Sequence, residues 1–117
     1  MSPWYDLALR NYQNGALDYA QKLANYVLYF EPPDAKHFEL AGAISQAKEE
    51  YRYAIGAYER AFLLDSTSGN VAFYMGQCYF WLKEWEKAKA WLEIAQLLGN
   101  DDRRVARLLR IIKQSIA

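Results

Sequence analysis

A 34-residue period constrains this chain more than any other feature. Ala20, Ala54 and Ala88 recur at that interval, as do Val27, Ala61 and Ala95. So do Ala8, Gly42 and Gly76, and a fourth series is Leu17, Tyr51 and Trp85. A period of about 34 residues is the length of two helices joined by a turn, with small residues where the helices cross. One such hairpin cannot bury its own apolar face, so successive copies must stack and share a core. The 117 residues are read as one domain, with repeats over 1–34, 35–68 and 69–102 and a C-terminal helix over 103–117. The predicted class is all-α. The hydrophobic fraction of 53% is enough for a continuous core between the stacked helices.

Local signals place the helices. Ser2 caps a first helix that has Pro3 at its opening position and runs to about Asn14. Gly15 ends it, since glycine adopts the left-handed conformation past a helix at no steric cost. The second helix runs from about Ala16 to Phe30, and Pro32-Pro33 stops it. Asp34 caps the next helix, over about Ala35–Lys48, which is followed by one over Tyr51–Leu64. After the turn-forming run Asp65–Gly69, two more helices are predicted near Asn70–Leu82 and Glu84–Leu98. Val105, Leu108, Leu109, Ile112 and Ile116 then fall at helical spacing and mark an amphipathic capping helix. The first unit is the least regular, with Ala24 where the others have Tyr58 and Leu92.

Charge and composition exclude several functions. There are 14 basic and 14 acidic side chains, for a formal net charge of zero, so no polybasic nucleic-acid surface is indicated. Arg103, Arg104, Arg107, Arg110 and Lys113 crowd one stretch and read as the solvated face of the terminal helix. The single cysteine, Cys78, lies in an apolar helical run and suits a buried thiol in a reducing compartment. No run approaches the ~20 apolar residues of a membrane span, and Met1–Leu9 lacks the pattern of a secretory signal. The expected location is cytoplasmic.

The period and the small-residue positions resemble the tetratricopeptide repeat, whose hairpins build a right-handed superhelical solenoid with a concave groove. That resemblance implies that positions 2, 5, 9, 12 and 13 of each unit face the groove. In the first unit these are Ser2, Tyr5, Leu9, Tyr12 and Gln13. In the second they are Lys36, Glu39, Ala43, Gln46 and Ala47. In the third they are Asn70, Phe73, Gln77, Phe80 and Trp81. The lining is aromatic at both ends and amide-bearing in the middle. Aromatic faces offer large contacts to apolar side chains, and Gln46, Gln77 and Asn70 can pair with the amides of an extended peptide. Tyr5, Phe73 and Trp81 are expected to contact the peptide. Tyr58, Tyr79, Trp85 and Trp91 are assigned to the core by their repeat register. The cationic clamp by which some tetratricopeptide grooves seize a C-terminal carboxylate has no counterpart here. Its places hold Tyr5, Leu9, Leu40, Asn70 and Tyr74.

Four segments resemble the class II type III secretion chaperones of bacteria. They are Trp4–Ala8 with Tyr12–Gly15, Leu40–Ala43, Tyr58–Phe62, and Phe73–Phe80 with its Gly76-Gln77-Cys78 triplet. Lys83 and Lys87–Lys89 extend the match. The resemblance implies a non-enzymatic cytoplasmic chaperone. Its groove would hold an extended segment of a hydrophobic translocator, keeping that protein soluble and competent for export. A transcription-regulator partner and a homodimer are further expectations from the family alone. Its members usually carry an N-terminal extension involved in dimerisation, whereas this sequence opens on the first repeat.

Catalytic constellations are thin. His37 is the only histidine and no partner motif accompanies it. One histidine and one cysteine on different repeats do not make a zinc site. No glycine-rich phosphate loop is present. No enzyme activity, cofactor, metal, nucleic-acid partner or membrane insertion is expected. The competing readings are a general peptide-binding adaptor in another bacterial assembly and a module that binds a transcription regulator.

Overall fold

Each hairpin starts at a residue able to cap a helix. Ser2 Oγ accepts from the Tyr5 amide at 2.9 Å, Asp34 Oδ1 from the Lys36 amide at 2.8 Å, and Ser68 Oγ from the Val71 amide at 3.2 Å. These contacts satisfy donors that the first turn of a helix leaves unpaired. The computed structural model describes residues 2–116, and these form seven helices. They are α1 (Pro3–Gln13), α2 (Leu17–Phe30), α3 (Ala35–Ala47), α4 (Tyr51–Leu64), α5 (Gly69–Trp81), α6 (Trp85–Leu97) and α7 (Arg103–Ile116). Consecutive helices pack against each other, and α7 also touches α5. The result is an elongated stack measuring 46 × 25 × 20 Å.

The period reappears in the hydrogen bonds. Where α1, α3 and α5 end, the amides of Ala16, Glu50 and Glu84 bond back to the carbonyls of Asn11, Ser45 and Tyr79 at 2.8–3.0 Å. Each reaches five residues back, the signature of a Schellman C-cap. That motif needs one left-handed residue. Gly15 supplies it at φ 82°, while Glu49 and Lys83 adopt φ 62° and 60° at the same repeat position. The identical turn therefore re-aims the chain in all three units, although only the first uses glycine.

Small residues sit where the pattern demands them. Ala8, Ala20, Ala54, Ala88 and Ala95 have no exposed surface, and Ala61 is 1% exposed. The size of position 8 tracks that of position 24 in the same hairpin. A Cβ added to Gly42 would lie 2.6 Å from Tyr58, and one added to Gly76 would lie 2.7 Å from Leu92. In the first hairpin position 24 shrinks to Ala24, and position 8 is correspondingly Ala8, both buried in one cluster. What looks irregular in the sequence is a volume-conserving exchange across one helix pair.

The core has two parts. One gathers Ala8, Ala20, Leu23 and Ala24 against Leu40, Ala41 and Ile44. The larger runs from α4 through α5 and α6 to Val105 and Ile112 of α7. Helix α5 is enclosed by its neighbours and buries Val71, Ala72, Phe73, Met75, Gly76, Cys78 and Tyr79. Of the five apolar residues expected to mark the terminal helix, Val105 and Ile112 are buried. Leu108 and Leu109 are partly buried against the core, and Ile116 remains 39% exposed.

Candidate functional site

The first helices of the three hairpins line an open trough of about 790 Å³. Helix α1 contributes Tyr5, Leu9 and Tyr12. Helix α3 contributes Lys36, Glu39, Leu40, Ala43, Gln46 and Ala47, and α5 contributes Tyr74 and Gln77, with Tyr58 of α4 beneath. These faces converge because the 3.6-residue helical period returns positions 5, 9 and 12 to one side of each first helix. The small side chain of Ala43 leaves room in the middle of the trough, and exposed Ala47 lies at its edge.

The remaining sequence-predicted groove residues lie elsewhere. Gln13 is exposed at the end of α1, outside the lining. Ser2 caps α1 and donates to Glu31 Oε2 at 2.6 Å. Asn70 is exposed, with its Oδ1 accepting from Asn100 Nδ2 at 3.2 Å. Phe80 is half-buried, edge-on to both Trp81 and Trp85. Trp81 is 61% exposed, past the end of the lined region. Phe73 departs most from expectation, being 1% exposed with the Arg104 guanidinium 4.8 Å above its ring. Its repeat position opens to the trough in the first two units, as Tyr5 and Glu39. In the third unit α7 lies across that face and closes it.

Three lining residues were not assigned to the groove from sequence. Leu40 and Tyr74 share one repeat position, and both being large apolar or aromatic residues was the available signal. Tyr58 was assigned to the core and is 1% exposed, but its hydroxyl reaches the trough floor. There it donates to Gln46 Oε1 at 2.8 Å, and Gln46 Nε2 donates to Gln77 Oε1 at 3.1 Å.

The electrostatics are those of a partly dry surface. Burial, reinforced by Glu39, pushes the hydroxyl pKa values of Tyr5 and Tyr74 upward. Burial raises that of Tyr58 much further. All three phenols therefore stay protonated and able to donate at neutral pH. Burial, followed by repulsion from Asp65, also raises the Glu39 carboxyl. Glu39 has no hydrogen-bond or ion-pair partner among the described residues. His37 stacks beside Tyr5 with ring centroids 5.4 Å apart, and its Nδ1 is buried without a partner. Cys78 is fully buried and its thiol is pushed up to about 12, so it is an inert apolar side chain. Among the described residues no cluster of three or more His, Cys, Asp or Glu is disposed to hold a metal ion. No helix among them is long and apolar enough to cross a membrane.

Residues 45–112 match the family model described as tetratricopeptide repeat. That span is more than half of the chain, and its helices and turns follow the period described above. The chain belongs to the tetratricopeptide-repeat family.

Within that family, its relatives include the class of chaperone that the sequence resembles. The low calcium response locus protein H of Yersinia pestis is 28% identical over 116 residues, covering 93% of this chain and 69% of its own length. The Yersinia enterocolitica type III secretion chaperone SycD, solved with a peptide of the translocator YopD, superposes with a TM-score of 0.90 at 26% identity. That match covers 97% of this chain and 92% of SycD. The crystal structure of MamA gives a TM-score of 0.91 at 17% identity, covering 96% of this chain and 66% of MamA. The MamA likeness concerns the fold alone. Shape is thus common property of the scaffold, and the side chains that line the trough must carry any finer distinction.

Proposed function

We propose that this chain is a cytoplasmic chaperone of a bacterial type III secretion system, with no catalytic role of its own. Its trough holds an extended segment of a hydrophobic translocator and keeps that protein soluble until export. The observation that carries this reading is the trough itself, with apolar and aromatic walls and amide groups on its floor. An extended segment exposes both side chains and unpaired backbone amides, so a receptor must serve both. The relatives' type III secretion role supports the assignment of client. The binding residues in this reading are Tyr5, Leu9, Tyr12, Ala43, Gln46 and Gln77, joined by Tyr74. Lys36, Glu39 and Ala47 form the rim, and Trp81 extends it at the far end.

Homodimerisation belongs to the same reading. An aromatic cluster at the outer side of the first hairpin supports it. Trp4, Tyr26 and Phe30 stack in series with centroids 5.2 and 4.6 Å apart, and Tyr29 adds an edge-on contact at 4.8 Å. All four are exposed, whereas α7 covers the opposite end of the stack.

The test is co-purification from the native cytosol. Recovery of a membrane-active secreted translocator supports the chaperone, and replacing Tyr5 by Ala should then weaken that association by about 1–3 kcal/mol with helicity retained. Recovery of only pilus-assembly or regulatory proteins would instead establish an adaptor of another kind.

A further inference from the structure

We propose that the Tyr58 hydroxyl sets the hydrogen-bond polarity of the trough, so that Gln77 presents its amide NH2 to a backbone carbonyl of the bound segment. The inference rests on the peptide-binding reading above, but its first link concerns this chain alone.

The Tyr58 ring has nowhere else to go. It is 1% exposed, lies against Gly42 so closely that one methyl group there would collide with it, and packs on Tyr74 with centroids 5.6 Å apart. Its hydroxyl proton has Gln46 as its sole acceptor among the described residues, and the reverse arrangement, with Gln46 donating, would leave that proton buried and unpaired. A carboxamide is an acceptor on one side and a donor on the other. Accepting from Tyr58 at 2.8 Å turns the Gln46 oxygen inward, so its NH2 must point outward. That NH2 meets the Gln77 oxygen at 3.1 Å. Gln77 is thereby committed as an acceptor toward Gln46, and its own NH2 is left on the trough wall with no partner among the described residues. The chain of three groups ends in a donor. An extended segment crossing that point would be held by a carbonyl oxygen.

Without the hydroxyl, either amide could rotate by half a turn and the wall would present donor or acceptor indifferently. Tyr58 is therefore a positioning residue, acting through Gln46 and Gln77 rather than by contact. Helix register could not reveal this, because it assigns Tyr58 only to the core.

Two measurements separate the links. In nitrogen-15 spectra of the free protein, Tyr58→Phe should shift the side-chain amide signals of Gln46 and of Gln77, although Tyr58 bonds only the former. An unmoved Gln77 signal would overturn the relay. Titration calorimetry with the YopD peptide then tests the readout. Tyr58→Phe and Gln77→Met should each weaken binding by about fivefold, as for one hydrogen bond. The double variant should be no weaker than the worse single variant. Losses that multiply would show that Tyr58 does not act through Gln77, and would overturn the positioning role. If the unaltered chain binds no peptide while the Gln77 signal still responds, the relay stands. The carbonyl contact to that segment then fails, and the chaperone reading is decided by the co-purification.

Discussion

Lys83 adopts φ 60° although it carries a full side chain. A left-handed residue with a Cβ costs about 1–2 kcal/mol. The first unit avoids that cost with Gly15, and the third does not. Lys83→Gly should therefore stabilise the fold by about 0.5–1 kcal/mol, the relief of strain exceeding the added freedom of the unfolded chain. Urea denaturation would measure it, and unchanged or lower stability would refute the strain. Glu39 makes a second residue-scale case. Burial and Asp65 raise its pKa above the ordinary carboxylate value. The folded state therefore binds this proton more tightly than the unfolded state does. The associated stability is present below the ordinary pKa of about 4 and is lost as pH rises through the folded value. Glu39→Gln should accordingly raise the melting temperature at pH 7, with the gain fading as the pH is lowered to about 4. A gain independent of pH would point away from the charge. Gly15 was legible from its own identity. The strain at Lys83 was not, because nothing in the identity of a lysine marks a left-handed residue and only its backbone torsion shows one.

Between elements, the decisive contact is the crossing of the two helices of a hairpin. Gly42 and Gly56 lie in α3 and α4, and a Cβ meets opposite surroundings at each. At Gly42 it would fall 2.6 Å from Tyr58, and at Gly56 it meets nothing within 4 Å. Gly42→Ala should therefore destabilise by about 1–3 kcal/mol through overpacking. Gly56→Ala should stabilise by about 0.5–1 kcal/mol through helix propensity. Thermal melts of the pair form an internal control, and similar effects at the two sites would contradict the packing account. The packing of α7 on α5 gives a second contrast. Phe73 is enclosed, so Phe73→Ala should cost about 3–5 kcal/mol as a cavity in the core. Trp81 is largely exposed, and Trp81→Ala should cost less than about 1 kcal/mol. Chemical denaturation measures both, and equal losses would place the two rings in the same environment. Helix existence, caps and turns were readable here from proline, serine, aspartate and the small-residue spacing. The face that Phe73 presents was not. Repeat register assumes an identical neighbour, and the third hairpin has α7 instead.

At the scale of the whole molecule, polar contacts between the second helix of one hairpin and the turn of the next tie successive hairpins together. Lys48 Nζ, in the turn after α3, reaches Asp18 Oδ1 of α2 at 2.7 Å and donates to Gln21 Oε1 at 2.7 Å. One repeat later, Arg52 of α4 meets Glu84 in the turn after α5 at 2.5 Å. Position 18 is common to both pairs, with its charge reversed, whereas Glu84 takes the place of Glu50 rather than that of Lys48. These groups are partly exposed, so their attraction is screened by salt. Lys48→Met should lower the melting temperature modestly at low ionic strength, with the difference shrinking in concentrated salt. A salt-independent loss would mean that the lysine stem rather than its charge holds the hairpins.

The sequence by itself determined the period, the seven helices, the caps and the positions where helices approach closely. Each of these follows from local chemistry or from identical residues recurring at 34-residue spacing. The resemblance to the tetratricopeptide repeat also pointed to most residues of the trough, with Tyr5, Leu9, Tyr12, Ala43, Gln46 and Gln77 each on the lining face of its own first helix. Tertiary structure alone decided that Phe73 is core, that Tyr74 lines the trough in its stead, and that the Tyr58 hydroxyl meets Gln46 on the trough floor. All three depend on which element packs across a helix face and how much room it leaves. Those are properties of the packed stack, which no single repeat encodes.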